Sequence, residues 1–253
     1  KKWEEECLQA EKEGKKKPKK LIIREIEDMI VPTEEQPYKL PDSWVWVRLG
    51  DIGIWGAGAT PLKSNSEFYS NATIPWLLTG DLNDSYIIEI PNKISKIALE
   101  KTSVKLNPKD SILIAMYGAT IGKVGILTFP ATTNQACCAC TKLFQTENLY
   151  LFNFLISERK NFISRAVGGA QPNISKEKIV RTPIPLPPLE EQQEIVRILD
   201  EVLENENKVK ELLELEERID ILEKSILHKA FKGELGTQNS SDKPAIELLK
   251  NIL

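Results

Sequence analysis

The chain has 253 residues, 41% hydrophobic and 28% charged, with a net charge of −3, ordinary values for a globular protein of one or two domains. No apolar run in it approaches the roughly 20 residues a membrane helix needs, and no signal peptide is recognisable, so no membrane-spanning helix is expected within these residues. The global charge does not exclude a nucleic-acid partner, because residues 1–40 carry 10 basic and 10 acidic groups, residues 41–180 carry 14 and 11, and residues 181–253 carry 10 and 16; the middle is mildly basic and the acid excess sits at the end.

The first zone is "KKWEEECLQAEKEGKKKPKK". Because it opens on Lys1 and not Met, the chain is expected to be a fragment or a trimmed product. Trp3, Cys7, Leu8 and Ala10 line one side of a short predicted helix that Gly14 and Pro18 stop. The lysine run reads as a solvated linker in preference to a DNA-binding arm.

The second zone, from about Leu40 to Pro183, reads as short strands between turns. "WVWVRL" alternates and is rich in β-formers, while "SILIAMYG" and "VGILTF" are short apolar runs bounded by Gly or Pro. "NLYLFNFLISERKNFISRAV" has a helical period, with Asn148 as the start and Gly168-Gly169 as the stop. Four stretches are loops by composition: "WGAGATPLKSNSEF", "LTGDLNDS", "YGATIGK" and "VGGAQPNISKEK". Their Thr, Asn, Gln and Lys side chains suit contacts with phosphates or base edges, although each loop taken singly also reads as a plain turn.

Two motifs in this zone test other chemistry. "MYGATIGKVG" resembles a phosphate-binding loop, but only three residues separate Gly118 from Gly122, and Val124 stands where the magnesium-ligating hydroxyl belongs. "NQACCAC" clusters Cys137, Cys138 and Cys140 without paired metal-ligand spacing, and the only histidine is the distant His228. Reduced, buried strand cysteines are the favoured reading, which fits a reducing cytoplasm. No metal and no cofactor is expected.

The third zone opens with "TPIPLPPLEEQQEIV", a Pro-rich stretch expected to resist helix and sheet and to form a stiff extended lead-in. A helix is then predicted from about Leu189 to Lys232, with Pro188 and two glutamates at its start and Gly233 as its stop. About 45 residues make roughly 67 Å of helix. Ile195, Ile198, Val202, Val209 and Leu212 follow three- and four-residue steps, and Leu215, Ile219, Leu222 and Ile226 resume after a slip. Asn205 falls on this seam, where a polar residue fixes register. Such a stripe requires a second long helix, from this chain or another.

Together, "LPDSWVWVRLGDI", "GATPLKSN", "IPWLLTGDLND", "MYGATIGKVGIL", "NQACCAC", "GGAQPNISKEKIVRTPIPLPPLEEQQEIVRIL" and "ILHKAFKGEL" resemble, in this order, the specificity subunit of type I restriction–modification enzymes. The resemblance covers nearly the whole chain and implies an α+β fold. A mixed, β-rich target recognition domain is followed by a long α-helix that packs as an antiparallel coiled coil. It further implies the end of a preceding conserved helix and linker over 1–40, the recognition domain over 41–183, a spacer helix over 184–235 and a tail over 236–253. Full subunits usually carry two such units, so the chain is expected to be the C-terminal half of one, or else a half-subunit that dimerises. "YGATIGKVG" then looks like a strand–turn–strand element with Lys123 as a phosphate contact.

The expected DNA-contacting residues are Thr60, Lys63, Asn65, Thr79, Asn83, Tyr117, Thr120, Lys123, Gln171, Asn173 and Lys176. The expected helix interface is Ile195, Ile198, Val202, Asn205, Val209, Leu212, Ile219, Leu222 and Ile226. No methyl-transfer motif, nuclease carboxylate cluster or cofactor fingerprint is recognisable, and His228 reads as an ordinary helix residue. The missing motifs support a non-catalytic chain, and the resemblance implies that it binds double-stranded DNA and directs methyltransferase (M) and restriction/translocase (R) subunits to a bipartite target. In isolation it is expected to homodimerise through the helix. The alternative is the recognition portion of a fused restriction–methylation enzyme whose catalytic part lies upstream. An oligomerisation protein built on the helix is disfavoured because it ignores the second zone.

Overall fold

The computed structural model describes residues 25–169, 171–237, 239, 241 and 243–247. The helix predicted around Trp3, Cys7, Leu8 and Ala10 lies outside the described residues. The described chain divides between Val196 and Arg197 into two compact units.

The first unit is built on a five-stranded sheet in the order β2-β9-β6-β7-β4. Its strands are β2 (Gly53–Ala57), β4 (Ser85–Ile87), β6 (Ile112–Ala115), β7 (Val124–Leu127) and β9 (Cys137–Leu143). The β6 and β7 sequences, ILIA and VGIL, are apolar throughout because both faces of the sheet are covered. Ile112, Ile114, Val124, Ile126, Cys138 and Cys140 share one core with Leu151, Leu155 and Phe162, from α3 (Asn148–Ser157) and α4 (Arg159–Arg165). Their neighbours Leu113, Ala115, Leu127, Cys137 and Ala139 point the other way and pack with Leu77, Leu82, Ile87 and Ile90. Cys137, Cys138 and Cys140 are free and buried in β9, as strand cysteines were expected to be.

A three-stranded sheet, β5 (Lys93–Ile94), β3 (Ile74–Leu77) and β8 (Thr132–Thr133), lies beside the second core. Here Trp76, Ile94, Ala98 and Val104 form a third cluster, with Ala98 carried on α2 (Lys96–Lys101). The short helices α1 (Ile26–Met29) and α5 (Lys176–Val180) complete this unit with β1 (Val45–Arg48) and β10 (Pro183–Leu186).

Three local expectations need correction. The Pro-rich stretch does enter a sheet, since β10 pairs antiparallel with β1. Its prolines alternate at 183 and 185, so both missing N–H groups fall on the edge away from β1 and Ile184 and Leu186 keep theirs for the ladder. The helical stretch after Asn148 is broken at Glu158 and ends at Arg165, ahead of the glycine pair. It stops because Val167 exchanges backbone hydrogen bonds of 2.9 and 2.8 Å with Asn173. Finally, three stretches assigned to loops by composition enter regular elements: Trp55–Ala57 belong to β2, Ser85 to β4, and Lys176, Glu177 and Lys178 to α5.

Helix α6 (Leu189–Phe231) spans 43 residues, about 64 Å at 1.5 Å per residue. Gln192 fixes its start: the buried side chain donates from Nε2 to the carbonyl oxygens of Pro187 (2.9 Å) and Gln145 (3.3 Å) and accepts from the Glu147 amide (2.8 Å). Gly233, at φ +69°, ends it, with the Glu234 amide donating to the Lys229 carbonyl at 2.8 Å. The described parts of the chain thus form an α+β fold, with mixed sheets followed by one long helix.

Candidate nucleic-acid interface

Strand register brings the loops of the five-stranded sheet to one end. Ala57 faces Cys138, Ala115 faces Cys137, Ile114 faces Val124 and Ser85 faces Gly125. The C-terminal ends of β2 and β6 therefore lie beside the starts of β9, β7 and β4. The β3–β8 pair joins the same rim, because the Asn134 amide donates to the Leu77 carbonyl at 3.0 Å and the Cys137 amide to Asn134 at 3.2 Å. The loops after Ala57, Leu77 and Ala115, the turn at 134–136 and the segment at 171–173 all emerge there.

Close backbone approach holds this rim. A Cβ on Gly58 would sit 2.2 Å from the Asn134 carbonyl oxygen and 2.3 Å from Thr133 Oγ1, so only glycine lets loop 58–60 pack on the 133–134 turn. The Met116 amide donates to Ala136 at 2.8 Å, the Gly118 amide to Pro172 at 2.8 Å, and the Ile174 amide to Met116 at 2.9 Å. Tyr117 and Asn173 form an antiparallel bridge.

The residues expected to contact DNA divide accordingly. Thr60, Tyr117, Thr120, Lys123, Gln171 and Asn173 lie on these converging segments. Thr60 donates to Gln135 Oε1, which orients an exposed amide at the centre of the rim. Thr120 donates to the Tyr117 carbonyl at 2.9 Å, so its hydroxyl shapes the turn. Gln171 is exposed, and Lys176 is exposed at the first position of α5, close enough for its charge to act on the Cys138 thiol. Thr79 opens a short 3-10 turn, Thr79–Asp81, that follows β3, and Asn83 lies two residues beyond its end. Lys63 is exposed farther along the loop that follows Ala57, and Asn65 caps the 3-10 turn Ser66–Phe68 by accepting from the Glu67 amide at 3.1 Å. The Asn65 side-chain oxygen is thus already engaged in its own turn.

Three rim residues escaped the sequence reading. Gln135 and Asn134 stand in a segment notable for its cysteines, and Asn134 Oδ1 is buried without a hydrogen-bond partner among the described residues. Arg159 lies inside a helical run, yet its Nε donates to the Gly122 carbonyl at 3.0 Å and its guanidinium pairs with Asp84. Asp84 in turn accepts from the Val124 amide at 3.0 Å. No sequence signal links positions 84 and 159, because their contact is purely tertiary.

Behind the rim, the thiols of β9 are shifted by their burial in the core. Burial pushes the Cys138 and Cys140 thiols up to about 12, and Lys176 only partly offsets this at Cys138. Such thiols stay protonated and poor as nucleophiles near neutral pH. Among the described residues, no group of three or more His, Cys, Asp or Glu is placed to hold a metal ion. Also among the described residues, no helix is long and apolar enough to cross a membrane.

On α6, Ile195 packs against the core of the first unit. In the second unit, Ile198, Val202, Val209, Leu212, Ile219, Leu222 and Ile226 are exposed, between 46 and 64% each. Asn205 is exposed in the same stretch.

The family described as Type I restriction modification DNA specificity domain matches residues 41–217. The chain is similar to the type I restriction enzyme EcoR124I/EcoR124II specificity subunit of Escherichia coli, with 35% identity over 61% of this chain and 40% of that protein. It is also similar to the MjaIX specificity subunit of Methanocaldococcus jannaschii, with 30% identity over 70% of this chain and 42% of that protein. Among solved structures, one from work on assembly and conformational transition of the type I R-M system has a TM-score of 0.64 at 25% identity, covering 79% of this chain and 49% of that one. The crystal structure of the HsdS subunit from Thermoanaerobacter tengcongensis shares the fold, with a TM-score of 0.60 at 24% identity over 82% of this chain and 49% of that one. The chain spans less than half the length of these relatives.

Proposed function

This chain belongs to the type I restriction modification DNA specificity domain family, and from that premise we propose that it is the DNA-reading portion of a specificity subunit. It carries one target recognition domain, over 41–183, and a conserved region, over 184–235, whose helix α6 (Leu189–Phe231) serves as the spacer. It reads one part of a bipartite target in double-stranded DNA and is itself non-catalytic. Methylation (M) and restriction (R) subunits supply the chemistry, in the cytoplasm.

The observation that carries this reading is the convergence of five polar segments on one end of the sheet, with Thr60, Gln135, Tyr117, Lys123, Gln171 and Asn173 on them. Amide side chains on a rigid rim suit bidentate contacts with adenine, and lysines suit phosphate. The exposed apolar stripe of α6 supports a pairing role: it docks antiparallel on an equivalent helix and measures the gap between two recognition domains. In the isolated chain that partner is a second copy.

The experiment is selection of purified chain on randomised duplexes, followed by salt titrations. The expected result is a short enriched consensus. Lys123→Ala is expected to weaken binding to selected and scrambled duplexes alike and to flatten the salt slope by about one. A pool that never enriches sinks the reading.

A further inference from the structure

We propose that Arg159 and Asp84 are positioning residues that lock the reading turn at 117–123 against the 79–84 loop, and so set base preference without touching phosphate. The inference rests on the DNA-recognition reading above and adds two residues that are not among the expected DNA contacts: Asp84, at the end of the 79–84 loop, and Arg159, inside a helical run.

Three segments distant in sequence meet at this point. Asp84 ends the loop that carries Thr79 and Asn83; its amide donates to the Val124 carbonyl at 2.9 Å and its carboxylate accepts from the Val124 amide at 3.0 Å. Gly122 stands one residue before Lys123; its amide donates to the Ala115 carbonyl at 3.0 Å and its carbonyl accepts from Arg159 Nε at 3.0 Å. Arg159, the first residue of α4, bridges the two through its guanidinium on Asp84. The turn carrying Tyr117, Thr120 and Lys123 is thereby tied to the loop before β4 and to the helix beneath.

The geometry is too specific for an incidental surface ion pair. Both side chains are roughly 70% covered, at 30 and 29% exposure. Asp84 holds a left-handed backbone, φ +62°, an uncommon state for a non-glycine residue. Gly122 is also left-handed, at φ +78°, and its missing Cβ leaves the space that the Arg159 side chain crosses. An arginine near a DNA-reading rim is ordinarily a phosphate ligand. Here two of its donors point inward, one to a carbonyl and one to a carboxylate, and the carboxylate neutralises its charge. Lysine cannot span both acceptors with one ammonium, so charge alone does not replace it.

The test uses the full chain, a duplex carrying the sequence it selects, and a scrambled duplex, titrated between about 50 and 200 mM salt. The variants are Arg159→Lys, Arg159→Gln and Asp84→Asn. Asparagine tolerates the left-handed backbone and keeps an acceptor for the Val124 amide, so that variant removes the ion pair with the turn otherwise intact. The expected result is that affinity for the selected duplex falls about tenfold, the scale of one misplaced base contact, while affinity for the scrambled duplex and the salt slope do not change. Equal loss on both duplexes with a slope flattened by about one overturns the proposal and makes Arg159 a phosphate contact. An unchanged ratio with a lowered melting temperature also overturns it, leaving a scaffold role alone. Failure of the wild-type chain to discriminate at all is a different result, and it removes the recognition reading itself.

Discussion

Gly122→Ala tests whether the reading turn is held as tightly as its contacts indicate. The backbone at Gly122 has φ +78°, and an added Cβ would sit 2.8 Å from Arg159 Cγ and 3.3 Å from Arg159 Cα. The first feature costs about 1–2 kcal/mol for an alanine, and crowding against a packed neighbour adds about 1–3 kcal/mol. Swinging the arginine away relieves only part of the crowding, because Cα belongs to α4. The sum is a destabilisation of roughly 2–5 kcal/mol, a fall of about 4–20 °C in melting temperature for a domain of this size. Gly80→Ala is the control: nothing lies within 4 Å of its added Cβ, and a change within about 0.5 kcal/mol is expected. Urea and thermal unfolding followed by tryptophan fluorescence measure both. In an Arg159→Ala background the Cγ contact is gone, so the Gly122→Ala penalty should shrink toward the backbone cost of about 1–2 kcal/mol. If Gly122→Ala is as benign as Gly80→Ala, or its penalty ignores residue 159, the turn is not clamped as described.

Two further outcomes follow from other parts of the chain. Val209 and Leu212 are 55 and 64% exposed on α6. Replacing both with Asp is expected to turn a dimer into a monomer by light scattering, with the first unit's unfolding unchanged; a wild-type chain that is monomeric at tens of micromolar, about where a weak dimer still shows, removes the homodimer. Burial raises the Cys138 and Cys140 thiols from 9.0 to about 12, so the fold favours their protonated form. This stability is fully present below pH 9.0 and declines as pH rises from there toward about 12. Urea midpoints should accordingly fall less between pH 8 and 10.5, a window that reaches about one and a half units above the ordinary thiol value of 9.0, in a Cys138→Ala/Cys140→Ala variant than in wild type; parallel declines refute the assignment.

Much of the scaffold was legible in the sequence, for identifiable reasons. "SILIAMYG" and "VGILTF" became β6 and β7 because short apolar runs between turn residues suit a sheet covered on both faces. The long helix followed from its stripe, its acidic start and Gly233. Pro183–Leu186 was misread because proline's lost donor weighs against sheets in general, whereas at alternate positions on an edge strand it costs no ladder bond. The break at Glu158 and the early stop at Arg165 depend on Asn173 and Gly122, which periodicity does not see. Of the rim, Tyr117, Thr120, Lys123, Gln171 and Asn173 stood out as polar residues in glycine-rich segments. Gln135, Asn134 and Arg159 did not, since their place on the rim comes from strand register and from a contact spanning 75 residues.

The most direct test of DNA recognition is the methylome of a host carrying the intact system. Residues 41–183 of this chain are exchanged for the corresponding segment of a relative with a different target. The expected result is a methylated bipartite motif in which one half changes while the other half and the spacer length stay the same. A motif that survives the exchange unaltered, with methylation still active, contradicts the claim that this chain reads the DNA.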